Sequence, residues 1–180
     1  MRALGIDPVH DTRRTFDGLL EAMSRPGTVR TVPAPADHAV LATLVDHEIT
    51  VSTDDDAVLD ALSGQGRLDP ADPADADIVH VREHAETDVG ACKRGSLIEP
   101  ANGATVVYRV EALADVSDGT TVTLSGPGVD ETTALSVSLP ASALSTLAEA
   151  QSAYPRGIDA VFASEDRLAA VPRSATMEVA

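Results

Sequence analysis

Residues 36–64, ADHAVLATLVDHEITVSTDDDAVLDALSG, decide the fold class. Val40, Leu41, Leu44 and Val45 recur at helical spacing and give residues 36–45 one apolar face. Residues 49–53, ITVST, form the β-branched run that suits a strand. Asp54, Asp55 and Asp56 then stand where negative charge favours a helix N-terminus, with Val58, Leu59 and Leu62 inward and Gly64 and Gly66 as the stop. Helix, strand and helix in such quick succession are the signature of an α/β chain.

Working outward toward the N-terminus, Asp11-Thr12 read as an N-cap, and Phe16, Leu19, Leu20 and Met23 as a single inward stripe. Pro26-Gly27 end that helix, and Val29 and Val32 mark a short strand. Toward the C-terminus comes an acidic loop, residues 69–77 (DPADPADAD), expected to be solvated. Strands are expected at 78–81, 104–110, 120–125, 135–139, 158–163, 168–171 and 175–179, with a helical turn at 87–94. A helix over 142–151 carries Leu144 and Leu147 on one side. Early alternation of helix and strand, with short connections later, predicts one α/β domain over residues 1–180, a mixed sheet flanked by helices.

Composition narrows the function. The hydrophobic fraction is 43%, yet the chain has two Phe, two Tyr and no Trp, so the core is aliphatic and base-stacking platforms are absent. A net charge of −16 and a pI near 4.4 repel phosphate backbones and anionic lipid, which excludes nucleic-acid and membrane-surface binding. The basic residues are 12 Arg and one Lys, Lys93, against 19 Asp and 10 Glu. That balance fits a surface adapted to high salt, where ions screen self-repulsion; GC-rich coding is the alternative. Cys92 is the lone cysteine, which rules out an internal disulfide or a cysteine metal cluster. Met1 to His10 has no apolar signal core, and no run long enough to span a bilayer occurs, so a cytoplasmic protein is expected.

Several stretches look chemical. His80-Val81-Arg82-Glu83-His84 matches the inverted zinc-peptidase pattern, which needs both His on one helix face. A strand over 78–81 would separate them by about 13 Å, so the match reads as chance and zinc is not expected. Gly126-Pro127-Gly128 could offer backbone N–H groups to a phosphate, but Pro127 removes one donor and a tight turn is the better reading. The Asp runs at 54–56 and 69–77 lack a calcium-loop pattern and read as solvated surface. Asp46, His47 and Ser52 have triad chemistry without a nucleophile elbow around any Ser. No catalytic residue and no metal ligand is assigned.

Four ordered blocks resemble the H-subunit family of bacterial and archaeal carbon–phosphorus lyase. The first is Pro8-Val9-His10-Asp11 with Phe16, Leu19-Leu20 and Ala22-Met23-Ser24-Arg25-Pro26-Gly27. The second is residues 41–50, LATLVDHEIT. The third is Glu99-Pro100 and Gly103-Ala104-Thr105 with Leu124-Ser125-Gly126-Pro127-Gly128. The fourth is Tyr154-Pro155-Arg156-Gly157-Ile158-Asp159 with Val171-Pro172-Arg173-Ser174. Asp17, Tyr154 and Ser174-Ala175 depart from residues common in that family. The resemblance implies a reduced fold of the pyridoxal-phosphate-dependent transferases, without that cofactor. It also implies a non-catalytic subunit of the lyase core complex with G, I and J subunits, and allows a homodimer. That complex converts ATP and methylphosphonate to ribose 1-methylphosphonate 5-triphosphate, releasing adenine, in phosphonate catabolism.

The residues point the same way on the cofactor. Pyridoxal chemistry needs a Lys for the Schiff base, and Lys93 sits beside Arg94 and Gly95 in a polar stretch expected to be exposed. Arg25, Pro26, Gly27, Gly126, Pro127, Gly128, Pro155, Gly157, Asp159, Pro172 and Arg173 are the motif residues that remain as interface candidates, with turn-forming roles favoured for the Pro and Gly. Arg156 and Arg173 have the guanidinium fork to meet a phosphate or a partner carboxylate. The competing reading is a stand-alone small-molecule transferase using a degenerate cleft.

Overall fold

The computed structural model describes residues 4–114 and 119–179; residues 1–3 of the Met1 to His10 stretch lie outside them. Its strands are β1 (Arg30–Thr31), β2 (Val51–Ser52), β3 (Ile78–Val81), β4 (Thr105–Arg109), β5 (Thr120–Ser125), β6 (Thr133–Val137), β7 (Asp159–Ser164), β8 (Arg167–Val171) and β9 (Thr176–Val179). Its helices are α1 (His10–Ser24), α2 (Ala36–Leu44), α3 (Asp56–Ser63) and α4 (Ala141–Gln151).

Six strands form a mixed sheet in the order β1-β8-β7-β4-β3-β2. The run β2-β3-β4-β7 is parallel, while β7-β8 and β8-β1 are antiparallel. β3, β4 and β7 read as apolar runs because both of their faces are covered. Alternation sends Val107, Val161 and Ala163 toward α1, α2 and α3, and Val106, Tyr108, Ala160 and Phe162 toward the other face. The parallel register sets Tyr108 beside Phe162, and their rings stack at 5.5 Å. Truncating Phe162 to Ala at this fully buried position would cost about 3–5 kcal/mol. Among the described residues, no helix is long and apolar enough to cross a membrane.

The expected single sheet is instead two. β6-β5-β9 form a separate antiparallel sheet that packs with α4 over the second face. Its strands alternate inward Val122, Leu124, Leu135, Val137 and Met177 with polar residues, the pattern of a sheet covered on one side only.

The α1 face also differs from expectation. Its buried stripe is Thr15, Gly18, Leu19 and Ala22, whereas Phe16 and Leu20 are 53% and 59% exposed. Close approach decides the matter: a Cβ on Gly18 would stand 2.8 Å from Val32 Cγ1. The small-residue face fits against the sheet, and the larger hydrophobics are turned outward. Nor do Asp11 and Thr12 cap the helix. The Asp7 carboxylate accepts the N–H groups of Val9 and His10 at 3.0 and 2.7 Å, and Asp11 returns a bond to the Asp7 N–H at 2.9 Å.

Candidate functional site

The C-terminal ends of the parallel strands gather a polar cluster, at the edge where open α/β sheets hold their ligands. α2 supplies Asp37 and His38 from its first turn, and the β2–α3 connection supplies Thr53 and Asp55. β3 contributes His80 from within and Arg82 from just beyond its end; Arg109 closes β4.

Two carboxylates organise the cluster. Asp55 caps α3 by accepting the Ala57 and Val58 N–H groups through Oδ1, while its Oδ2 meets His38 Nε2 at 3.1 Å and Arg82 Nε at 3.6 Å. Asp37 Oδ2 meets His80 Nε2 at 3.3 Å and lies 3.9 Å from Arg109 Nε. Thr53 Oγ1 accepts the Asp55 N–H at 3.1 Å and shares a second hydrogen bond with His80 Nδ1 at 2.9 Å. His80 Nε2 faces Asp37, so the ring bridges Thr53 and the carboxylate, its donor and acceptor roles being set by the tautomer.

Burial alone would raise Asp37, but the His80 hydrogen bond and the His38 and His80 charges outweigh it and hold its pKa below the ordinary carboxylate value. Asp55 is lowered in the same way, burial being overcome by the His38 and Val58 hydrogen bonds and by the His38 and Arg82 charges. Beside this cluster opens a cleft of about 790 Å³ whose wall includes Arg82, Arg109, His84, Glu83, Glu111 and Glu165. Hydroxyl, imidazole and carboxylate stand in relay order in Thr53, His80 and Asp37. The His80 side chain, however, has no exposed surface, and Thr53 is engaged by the Asp55 backbone. The relay therefore acts as a brace for the strand ends that carry Arg82, just beyond β3, and Arg109, at the end of β4.

The motif residues fall into two other clusters. In the first, the Pro26-Gly27 turn abuts the Gly126-Pro127-Gly128 turn. A Cβ on Gly128 would overlap the Ser24 carbonyl, and one on Gly27 would stand 2.7 Å from Thr133 Cγ2. All three glycines have positive φ, Gly27 at 88°, Gly126 at 112° and Gly128 at 83°. Arg25 is exposed and ends α1, its carbonyl accepting from Thr28.

In the second cluster Arg173 faces inward. Its side chain donates to Asp159, to the Pro100 carbonyl and to the Gly103 carbonyl. Pro172 begins the turn closed by the Ala175 N–H, and Pro155 precedes buried Gly157, whose N–H donates to the Arg94 carbonyl. Arg173 is thus committed within the chain, whereas Arg156 is exposed.

The other sequence expectations meet mixed outcomes. Lys93 is ion-paired with Asp77 at 2.5 Å, at the opposite end of β3 from the cleft. Asp55 is buried and Asp77 accepts from Thr50, so two of the acids read as solvated hold structure; Asp54, Asp56, Asp69, Asp72 and Asp75 are exposed. His80 and His84 do not converge, since His80 is enclosed in β3 and His84 is exposed beyond it. Asp46 turns back to the Glu48 N–H and His47 is exposed; no hydrogen bond joins either to Ser52.

Sequence reasoning passed over Asp37 and His38. The available signal was the single imidazole in the buried strand IVHV, because a buried polar ring requires a partner.

No curated protein matches the chain. The family model described as bacterial phosphonate metabolism protein (PhnH) matches residues 5–178, and the chain belongs to that family.

Proposed function

We propose that this chain is a subunit of the carbon–phosphorus lyase core complex, assembled with G, I and J subunits in the cytoplasm. In this reading it supports formation of ribose 1-methylphosphonate 5-triphosphate from ATP and methylphosphonate without carrying out the bond-breaking itself. The observation that carries the reading is the family match across residues 5–178, which places the chain in phosphonate metabolism. The geometry agrees with a supporting role, because the motif residues at 25–27, 126–128, 155–159 and 172–173 build turns and buttresses instead of a reaction centre.

The reduced transferase-like fold belongs to the same reading, and so does work without pyridoxal phosphate. Lys93, the chain's one lysine, is held by Asp77 away from the cleft, which does not suit a Schiff-base lysine. Reconstitution of the complex with and without this chain, followed by adenine release from ATP plus methylphosphonate, tests the role. Omission is expected to lower the rate, and the chain alone is expected to release no adenine.

One observation favours the stand-alone transferase as a second reading: two guanidiniums and two carboxylates of lowered pKa converge beside the cleft. Adenine release by the isolated chain would decide for it.

A further inference from the structure

We infer that the cleft at the C-terminal edge of β3 and β4 binds a compact phosphonate or phosphate-monoester head group between Arg82 and Arg109. Both guanidiniums line the cleft, and their side chains are 38% and 49% exposed. Each is steadied from behind through Nε, at 3.6 Å by Asp55 and at 3.9 Å by Asp37. Those separations are ion pairs longer than hydrogen bonds, and they leave the terminal amino groups of each fork for an incoming oxyanion.

The carboxylates behind the forks are fixed in turn by His38, His80 and the start of α3. Burying Asp37, Asp55 and His80, with His38 half-buried beside them, to hold two surface arginines is costly for stability, and it is the construction a preorganised ligand site requires. The cleft lies within the size range of small-molecule pockets and sits at the edge of the sheet where such ligands bind.

The surroundings restrict the ligand. Glu83, Glu111 and Glu165 are exposed on the cleft wall and disfavour an extended polyanion. A dianionic head group small enough to sit between the two forks avoids them, while Val110 and Leu139 offer apolar contact to a short organic remainder. The two guanidiniums, exposed on the cleft wall, are the recognising groups. The choice of a phosphonate among such dianions rests on the family's place in phosphonate metabolism; the site itself rests on the geometry.

Calorimetric titration of the full chain with methylphosphonate, with a phosphate monoester and with ATP tests this. Saturable binding of one equivalent is expected for at least one of the two compact dianions. Arg82→Gln and Arg109→Gln, which keep the stem of each side chain, should each weaken that binding by about tenfold or more. Arg13→Gln, exposed on α1 and outside the cleft wall, should leave it unchanged. Preference for methylphosphonate over the monoester identifies the source of the head group. Absence of saturable binding by either dianion overturns the inference, as do wild-type affinity in both variants and binding of ATP alone. Co-purification of the same variants with the G, I and J subunits separates the two ideas. Loss of anion binding with intact assembly supports the site, and failure of the wild type to assemble counts only against the complex.

Discussion

Arg173 grips Asp159 from two directions: its backbone N–H donates to Asp159 Oδ1 at 2.7 Å, and its guanidinium donates to both carboxylate oxygens. The same guanidinium reaches the carbonyls of Pro100 and Gly103, so one side chain ties the end of β8 to the segments entering β4 and β7. Asp159 and Arg173 are 16% and 14% exposed, which leaves water little chance to replace a lost partner. Arg173→Ala should therefore destabilise the fold by about 3 kcal/mol or more, seen as a lowered urea midpoint. A midpoint within error of the wild type would show that the pair is incidental.

Gly128 and Gly66 provide a matched comparison. Both have positive φ, at 83° and 64°, but a Cβ at Gly128 would overlap the Ser24 carbonyl while one at Gly66 would meet nothing within 4 Å. Gly66→Ala should cost about 1–2 kcal/mol from backbone strain alone. Gly128→Ala should cost visibly more, because the turn after β5 must also part from the end of α1. Equal thermal shifts for the two variants would remove the contact between the two motif turns from the account.

Cys92 is buried, and that burial, reinforced by the Asp88 charge, pushes its thiol up to about 11. The thiol's folded value lies above its unfolded one, so its contribution is fully present below about pH 8.5 and is lost as pH rises toward the folded value. Reaction of native protein with a thiol reagent near pH ~8 should then be slow and should track unfolding. Rapid modification of the folded chain would contradict this placement.

Asp37, Asp55 and Asp77 are all held below the ordinary carboxylate value. Depressed carboxylates stabilise the fold fully above their unfolded value of about 3.9, and that stabilisation is lost as pH falls through their lower folded values. Stability should thus drop below about pH 4, and Asp37→Asn, which keeps an acceptor for His80, should flatten the acid limb. Urea titrations across that range read the slope; an unchanged limb in the variant would mean that Asp37 is not a contributor.

The sequence makes α2, β2, α3 and β3 legible because their signals are local: apolar spacing, β-branched runs, the acidic run before α3 and Gly64 as a stop. The inward face of α1 is not legible, since Gly18 and Ala22 are buried by what they approach, and hydrophobicity alone favours Phe16 and Leu20. The second sheet escapes for a related reason. β5 pairs with β9 from the far end of the chain, and local pattern does not show which strands share a sheet.

The site was half visible. His80 and Arg82 stand out within the HVREH stretch, but reading that stretch as an accidental zinc pattern missed Asp37, which lies 43 residues away in sequence. Arg109 looks like an ordinary polar residue ending a strand until β4 sets it beside β3.

Co-elution decides whether this chain works as a subunit. Co-expressed with the G, I and J subunits and run over a sizing column in salt high enough to screen its acidic surface, the chain should elute with them in fixed stoichiometry. Elution of the chain alone, with the other three assembled without it, would contradict the account.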